Sequence, residues 1–86
     1  MLMEKNKQDI LVKFGKRLSA IRKEKKLSYR KIATLCNIDH SDIKRYEDGK
    51  KNLTLLTITE LATGLGIHPK DLLDFDYGID FNISIE

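Results

Sequence analysis

The chain has 86 residues, 34% charged and 41% apolar, which bounds it to one compact domain of ordinary globular composition. Its longest apolar runs are a few residues, too short for a membrane span, and residues 1–7 lack the apolar core of a secretory signal. The net charge of +3 is segregated: residues 1–53 hold 15 of the 16 Lys and Arg but 7 of the 13 Asp and Glu, a balance of +8, against −5 for residues 54–86. Such a split suits a polyanionic partner for the first part; the plainer alternative is a solvated basic helix.

A first helix is predicted over residues 7–25, with Asn6 as N-cap and Asp9 favouring its positive end. Ile10, Leu11, Phe14, Leu18 and Ile21 recur at helical spacing and form its apolar stripe. Ser28 caps a short second helix through Leu35, with Ile32 and Leu35 its apolar residues. The turn falls at Cys36, Asn37 and Ile38, where Asn37 suits the left-handed conformation. Asp39 caps a third helix from His40 to about Glu47, with Ile43 and Tyr46 inward and a stop at Asp48-Gly49. Thr54 caps a fourth, residues 55–65, whose broad apolar face includes Leu55, Leu56, Ile58, Leu61, Ala62 and Leu65. Gly66 ends it, and Pro69 opens a fifth helix over residues 69–74, anchored by Leu72 and Leu73.

The last segment changes period. Phe75, Tyr77, Ile79, Phe81, Ile83 and Ile85 alternate with polar residues or glycine, the pattern of a strand with one apolar face. A single strand has no ladder for its backbone N–H and C=O groups. The expectation is antiparallel pairing with a second copy, making these six residues the dimerisation element. The alternatives are addition to a partner's sheet, an extended arm lying on its own domain, or disorder.

The informative constellation runs from Ser28 to Gly49: two short helices joined by a tight turn, the second standing proud of the core with a polar and basic outer face. With Leu27-Ser28, Ile32-Ala33, Asn37-Ile38, Ile43, the run from Tyr46 through Lys50, Glu60-Leu61-Ala62, Leu65-Gly66-Ile67 and Leu72-Leu73, the sequence resembles the lambda-repressor-like, or Xre, helix-turn-helix family over about residues 10–74. Asn52-Leu53-Thr54 is also similar to the small controller proteins of restriction–modification systems. The resemblance implies a mainly α, five-helix DNA-binding domain over residues 1–74, with its motif at about 28–48, followed by the extended segment 75–86. It implies a homodimer on a palindromic double-stranded operator, a regulator of repressor type.

By position in the family, His40, Ser41, Lys44 and Arg45 line the groove-facing side of the recognition helix. Lys44 or Arg45 suits guanine O6 and N7. Asp42 suits cytosine N4, and equally a helix cap or a charge repelling phosphate. Ser28, Tyr29, Lys50 and Lys51 match phosphate-contacting positions, which set register rather than sequence. Arg22 and Glu47 match an ion pair of the family.

Cys36 alone forms no internal disulfide, and with His40 and His68 it makes no zinc site of usual spacing. No metal or cofactor is expected, and a cytoplasmic location is. No nucleophile motif, phosphate loop or arranged acid pair supports an enzyme. The competing function is an antitoxin or other protein-binding module that grips a toxin through the acidic, apolar second part.

Overall fold

A computed structural model describes residues 4–79. Five helices follow one another: α1 (Glu4–Glu24), α2 (Tyr29–Leu35), α3 (His40–Glu47), α4 (Leu55–Leu65) and α5 (Pro69–Leu72). The expected order holds, with three corrected boundaries. Asn6 lies inside α1 and does not cap it. Glu4 and Lys5 are better helix formers than Asn, and no Gly or Pro interrupts them. The left-handed residue is Lys26, at φ 56°, not Asn37. Lys26 closes α1, where the Leu27 N–H reaches the Arg22 carbonyl at 3.1 Å. Finally, α5 stops at Leu72 rather than at residue 74, because the Leu73 and Phe75 N–H groups close tight turns onto Lys70 and Leu73.

The core draws on every helix: Phe14, Leu18 and Ile21 from α1, Ile32 from α2, Ile43 and Tyr46 from α3, Leu61, Ala62 and Leu65 from α4, and Leu72 from α5. These lie at the spacings that put one face of each helix inward. Thr54 accepts from the Thr57 N–H at 3.1 Å to start α4, and Gly66, at φ 69°, ends it. The apolar face of α4 is narrower than its sequence indicates. Leu55 and Leu56 are 73% and 77% exposed, and the packing of α4 against the core begins at Ile58. Leu35 and Leu73 are also exposed, leaving Leu72 to anchor α5.

No strand forms over residues 75–79. Phe75 meets Phe14 edge-on, with ring centroids 6.5 Å apart, and Tyr77 stacks on Phe75 at 4.1 Å. The Tyr77 hydroxyl donates to the Leu73 carbonyl at 2.6 Å, and Gly78 bends the chain at φ 69°. Local bonds and an aromatic seat on α1 replace the expected ladder, so this stretch lies against its own domain. Phe81, Ile83 and Ile85 fall outside the described residues. Among those residues no helix is long and apolar enough to cross a membrane.

The position of α3 depends on two glycines. A Cβ at Gly15 would run into the backbone carbonyls of Tyr46 and Glu47, 2.6 Å from that of Tyr46. Gly49, at φ 71°, lies so close to α1 that a Cβ would come within 2.9 Å of the Val12 Cα. In an open helix, Gly→Ala stabilises by about 1 kcal/mol. At Gly15 the sign should reverse, with Gly15→Ala destabilising the fold by about 1–3 kcal/mol in urea melts, because backbone atoms have to move.

Candidate nucleic-acid interface

The interface is built by two short helices that need side-chain caps to start. Ser28 Oγ accepts from the Lys31 N–H at 3.0 Å at the head of α2. Asp39 Oδ1 accepts from the Ser41 N–H at 3.2 Å at the head of α3. Between them, the Cys36 N–H closes onto the Ile32 carbonyl at 3.1 Å, and the Asn37 N–H donates to Glu60 Oε2 of α4 at 3.2 Å. Glu60 thus ties down the turn that the left-handed Asn37 was expected to make. Burial pushes the Cys36 thiol up, as befits a side chain packed against the core rather than a reactive thiolate.

Ile43 and Tyr46 face inward on α3, which leaves His40, Ser41, Lys44 and Arg45 along the outer side. Ser41, Lys44 and Arg45 are exposed and His40 is half-buried. The basic side chains have carboxylate partners within the protein. Lys44 Nζ lies 2.9 Å from Asp48 Oδ2, a contact that holds the Asp48 carboxyl below its usual range and raises the Lys44 ammonium. Arg45 Nη1 lies 3.1 Å from Asp42 Oδ1, and Lys51 Nζ lies 3.3 Å from Asp42 Oδ2. Lys50 is exposed on the following loop. The charge spacing at i,i+3 and i,i+4 is visible in the sequence. The Glu60 contact spans 23 residues and has no local signal.

Behind this face lies the expected ion pair. Arg22 Nε donates to Glu47 Oε2 at 2.6 Å and Nη2 to Oε1 at 3.1 Å. Nη1 donates to the Leu27 carbonyl at 2.8 Å. The Glu47 hydrogen bond raises the Arg22 pKa further above its already high ordinary value, against a smaller opposing effect of burial. Tyr29 completes the cluster: its ring lies 4.2 Å under the guanidinium, and its hydroxyl donates to Glu47 Oε1 at 3.2 Å. The Tyr29 hydroxyl is therefore directed into the protein, away from the phosphate role its position implied. Gln8 adds a contact not anticipated from the sequence, donating to the Gly49 carbonyl at 2.9 Å.

A five-helix domain with a capped pair of short helices and an exposed polar face on the second is a helix-turn-helix fold. The helix-turn-helix family profile matches residues 18–72, and the chain belongs to this family, the lambda-repressor-like DNA-binding transcription regulators, which are not enzymes. Within it the chain belongs with the controller proteins. It is 37% identical over 68 residues to control protein C.BamHI of Bacillus amyloliquefaciens, across 78% of this chain and 84% of that protein. It is 35% identical over 65 residues to control protein C.MunI of a Mycoplasma species, across 74% of this chain and 88% of that one. The crystal structure of the restriction–modification controller protein C.AhdI from Aeromonas hydrophila superposes with a TM-score of 0.70 and 44% identity, covering 72% of this chain and 94% of that one.

The side chains of Arg22 and Glu47 are 11% and 4% exposed, so the pair is a desolvated one. Removing either partner strands a charge. Arg22→Ala and Glu47→Ala should each cost about 3–5 kcal/mol. The double variant should cost much less than their sum in the same denaturant melts. Asp39 behaves differently because it is exposed. Its carboxyl is held below the usual aspartate range, chiefly by the Ser41 N–H. A lowered folded pKa gives stability that is present above the unfolded pKa, near pH 4, and is lost as pH falls through the folded value. The stability advantage of the parent chain over Asp39→Ala should therefore shrink across that acid window in melts at stepped pH.

Proposed function

We propose that this protein is the transcriptional controller of a restriction–modification system, binding a palindromic operator as a homodimer with α3 in the major groove. The observation that carries the reading is the outer face of α3, held by buried contacts on its other side, in a chain 44% identical to a solved restriction–modification controller. On this reading Arg45 and Lys44 reach base edges, His40 and Ser41 lie at the groove-entering end, and Asp42 reads or rejects an amino donor. Lys50, Lys51 and Ser28 contact phosphate, while Tyr29 holds Glu47 in place behind α3. None of the relatives named above is an antitoxin, and a toxin partner has no observation behind it.

The dimer rests on the geometry of operators, whose half-sites place two recognition helices about 34–36 Å apart. Two apolar stretches of the sequence compete for the role of joining the copies. One is the sequence pattern continuing through Phe81, Ile83 and Ile85; Phe75, Tyr77 and Ile79 begin it. The other is the exposed pair Leu55 and Leu56. Sedimentation of the full chain, of a chain ending at Asp74, and of Leu55→Ser/Leu56→Ser decides between them. A truncated chain that stays dimeric would remove the tail from the interface.

Selection from random duplexes should return a two-fold symmetric motif, bound with an affinity that falls steeply with salt, by a log–log slope of about −0.9 per phosphate contact. Arg45→Ala should relax one base pair per half-site by about 1–3 kcal/mol, whereas Lys50→Ala should weaken all duplexes alike. An unchanged motif after Arg45→Ala would remove Arg45 from base reading.

A further inference from the structure

Asp42 has the most exacting position on the recognition helix. It stands in the first turn of α3, where its charge suits the helix N-terminus. Its two carboxylate oxygens are divided between two cations, Oδ1 holding Arg45 at 3.1 Å and Oδ2 holding Lys51 at 3.3 Å. Both cations are well exposed, at 62% and 42%, while Asp42 between them is 28% exposed. The carboxylate thus occupies, for both, the place a DNA phosphate or base acceptor would take.

From this geometry we propose that Asp42 is a specificity-determining residue, an internal competitor that releases Arg45 and Lys51 only where the DNA offers its carboxylate a hydrogen-bond donor. The proposal rests on the DNA-binding reading above. On a duplex of the wrong sequence, Arg45 and Lys51 have to leave Asp42 to reach DNA acceptors. The abandoned carboxylate is then pressed against a polyanion without a partner, which is unfavourable both as repulsion and as desolvation. At the operator an exposed amino group in the major groove, cytosine N4 or adenine N6, accepts the exchange by donating to Asp42. Discrimination then arises as much from penalising wrong sites as from favouring the right one.

The test measures the affinity of the full chain for its selected operator and for a scrambled duplex, across a salt series. Asp42→Asn is nearly isosteric but removes the competing charge; Asp74→Asn, an exposed acid beyond α5, controls for net charge alone. Asp42→Asn should tighten scrambled-duplex binding by roughly tenfold more than Asp74→Asn does, lower the operator-to-scrambled ratio by at least about tenfold, and relax one base pair of the selected motif. In a chain already carrying Lys51→Ala the gain should shrink, since one of the two released cations is gone. If Asp42→Asn does not fold, Asp42→Ser is neutral and tolerated near a helix start. Equal ratios for the Asp42 and Asp74 variants would overturn the proposal while leaving DNA binding intact. Absence of salt-dependent duplex binding by the parent chain would instead overturn the DNA-binding reading beneath it.

Discussion

Arg22 brings a permanent charge into a site where its side chain is only 11% exposed, and the arrangement of the first three helices follows from satisfying it. A guanidinium offers five N–H donors in a fixed plane, so its partners must come from fixed directions. Glu47 takes one edge, the Leu27 carbonyl takes another, and the Tyr29 ring covers a face. These partners belong to the end of α3, the turn after α1, and the start of α2. One side chain therefore fixes the mutual position of three elements, two of which are too short to be stable alone. Hydrophobic contacts among Leu18, Ile32 and Ile43 supply attraction between the helices. The ion pair adds direction, which apolar contact lacks.

Close approach reinforces that direction. Gly15 lets α1 cross against the carbonyls at the end of α3, and Gly49 leaves α3 by a left-handed turn beside Val12. The C-terminal end of α3 is thereby tied to α1 by an ion pair, two glycine contacts and the Gln8 bond to the Gly49 carbonyl. On its outer face Ser41, Lys44 and Arg45 are exposed. A helix held on one side and open on the other can present side chains in a fixed register, which a base-reading element requires.

The residues legible in the sequence were those whose roles depend on neighbours a few positions away. Ser28, Asp39 and Thr54 cap helices because each precedes a periodic apolar run, and Phe14, Leu18, Ile32, Ile43, Leu61 and Leu72 keep helical spacing into the core. Arg22 with Glu47 came from family resemblance, since nothing local connects residues 25 apart. What stayed hidden depended on tertiary placement. Leu55 and Leu56 fit the period of α4 but lie exposed on its first turn. Asn37 has the chemistry of a left-handed turn, yet Glu60 supplies an acceptor that suits another conformation. Phe75 and Tyr77 alternate like strand residues, but a ring on α1 offers an aromatic contact that a lone strand lacks. For Asn37 and for Phe75 and Tyr77, a local preference of about 1 kcal/mol or less yields to a contact from elsewhere in the fold.

The distribution of charge separates two tasks that the proposed function requires. Residues 1–53 are strongly basic, yet α3 contributes none of that excess: Lys44 and Arg45 are matched by Asp42 and Glu47. The surplus includes Lys16, Lys23, Lys25, Lys26, Arg30, Lys31 and Lys50, all exposed and all outside α3. Long-range attraction to a polyanion depends on total charge and is indifferent to sequence. Base reading depends on a few atoms at hydrogen-bonding distance. Placing the surplus on α1, α2 and the loop after α3 lets the protein approach any duplex. An α3 of zero formal charge, with Lys44 held by Asp48 and Arg45 by Asp42, then gains little from phosphate alone. If Asp42 acts as proposed, α3 binds well only where base edges replace the carboxylates that its cations already hold, and the same pairs that order the free helix raise the standard a DNA site must meet.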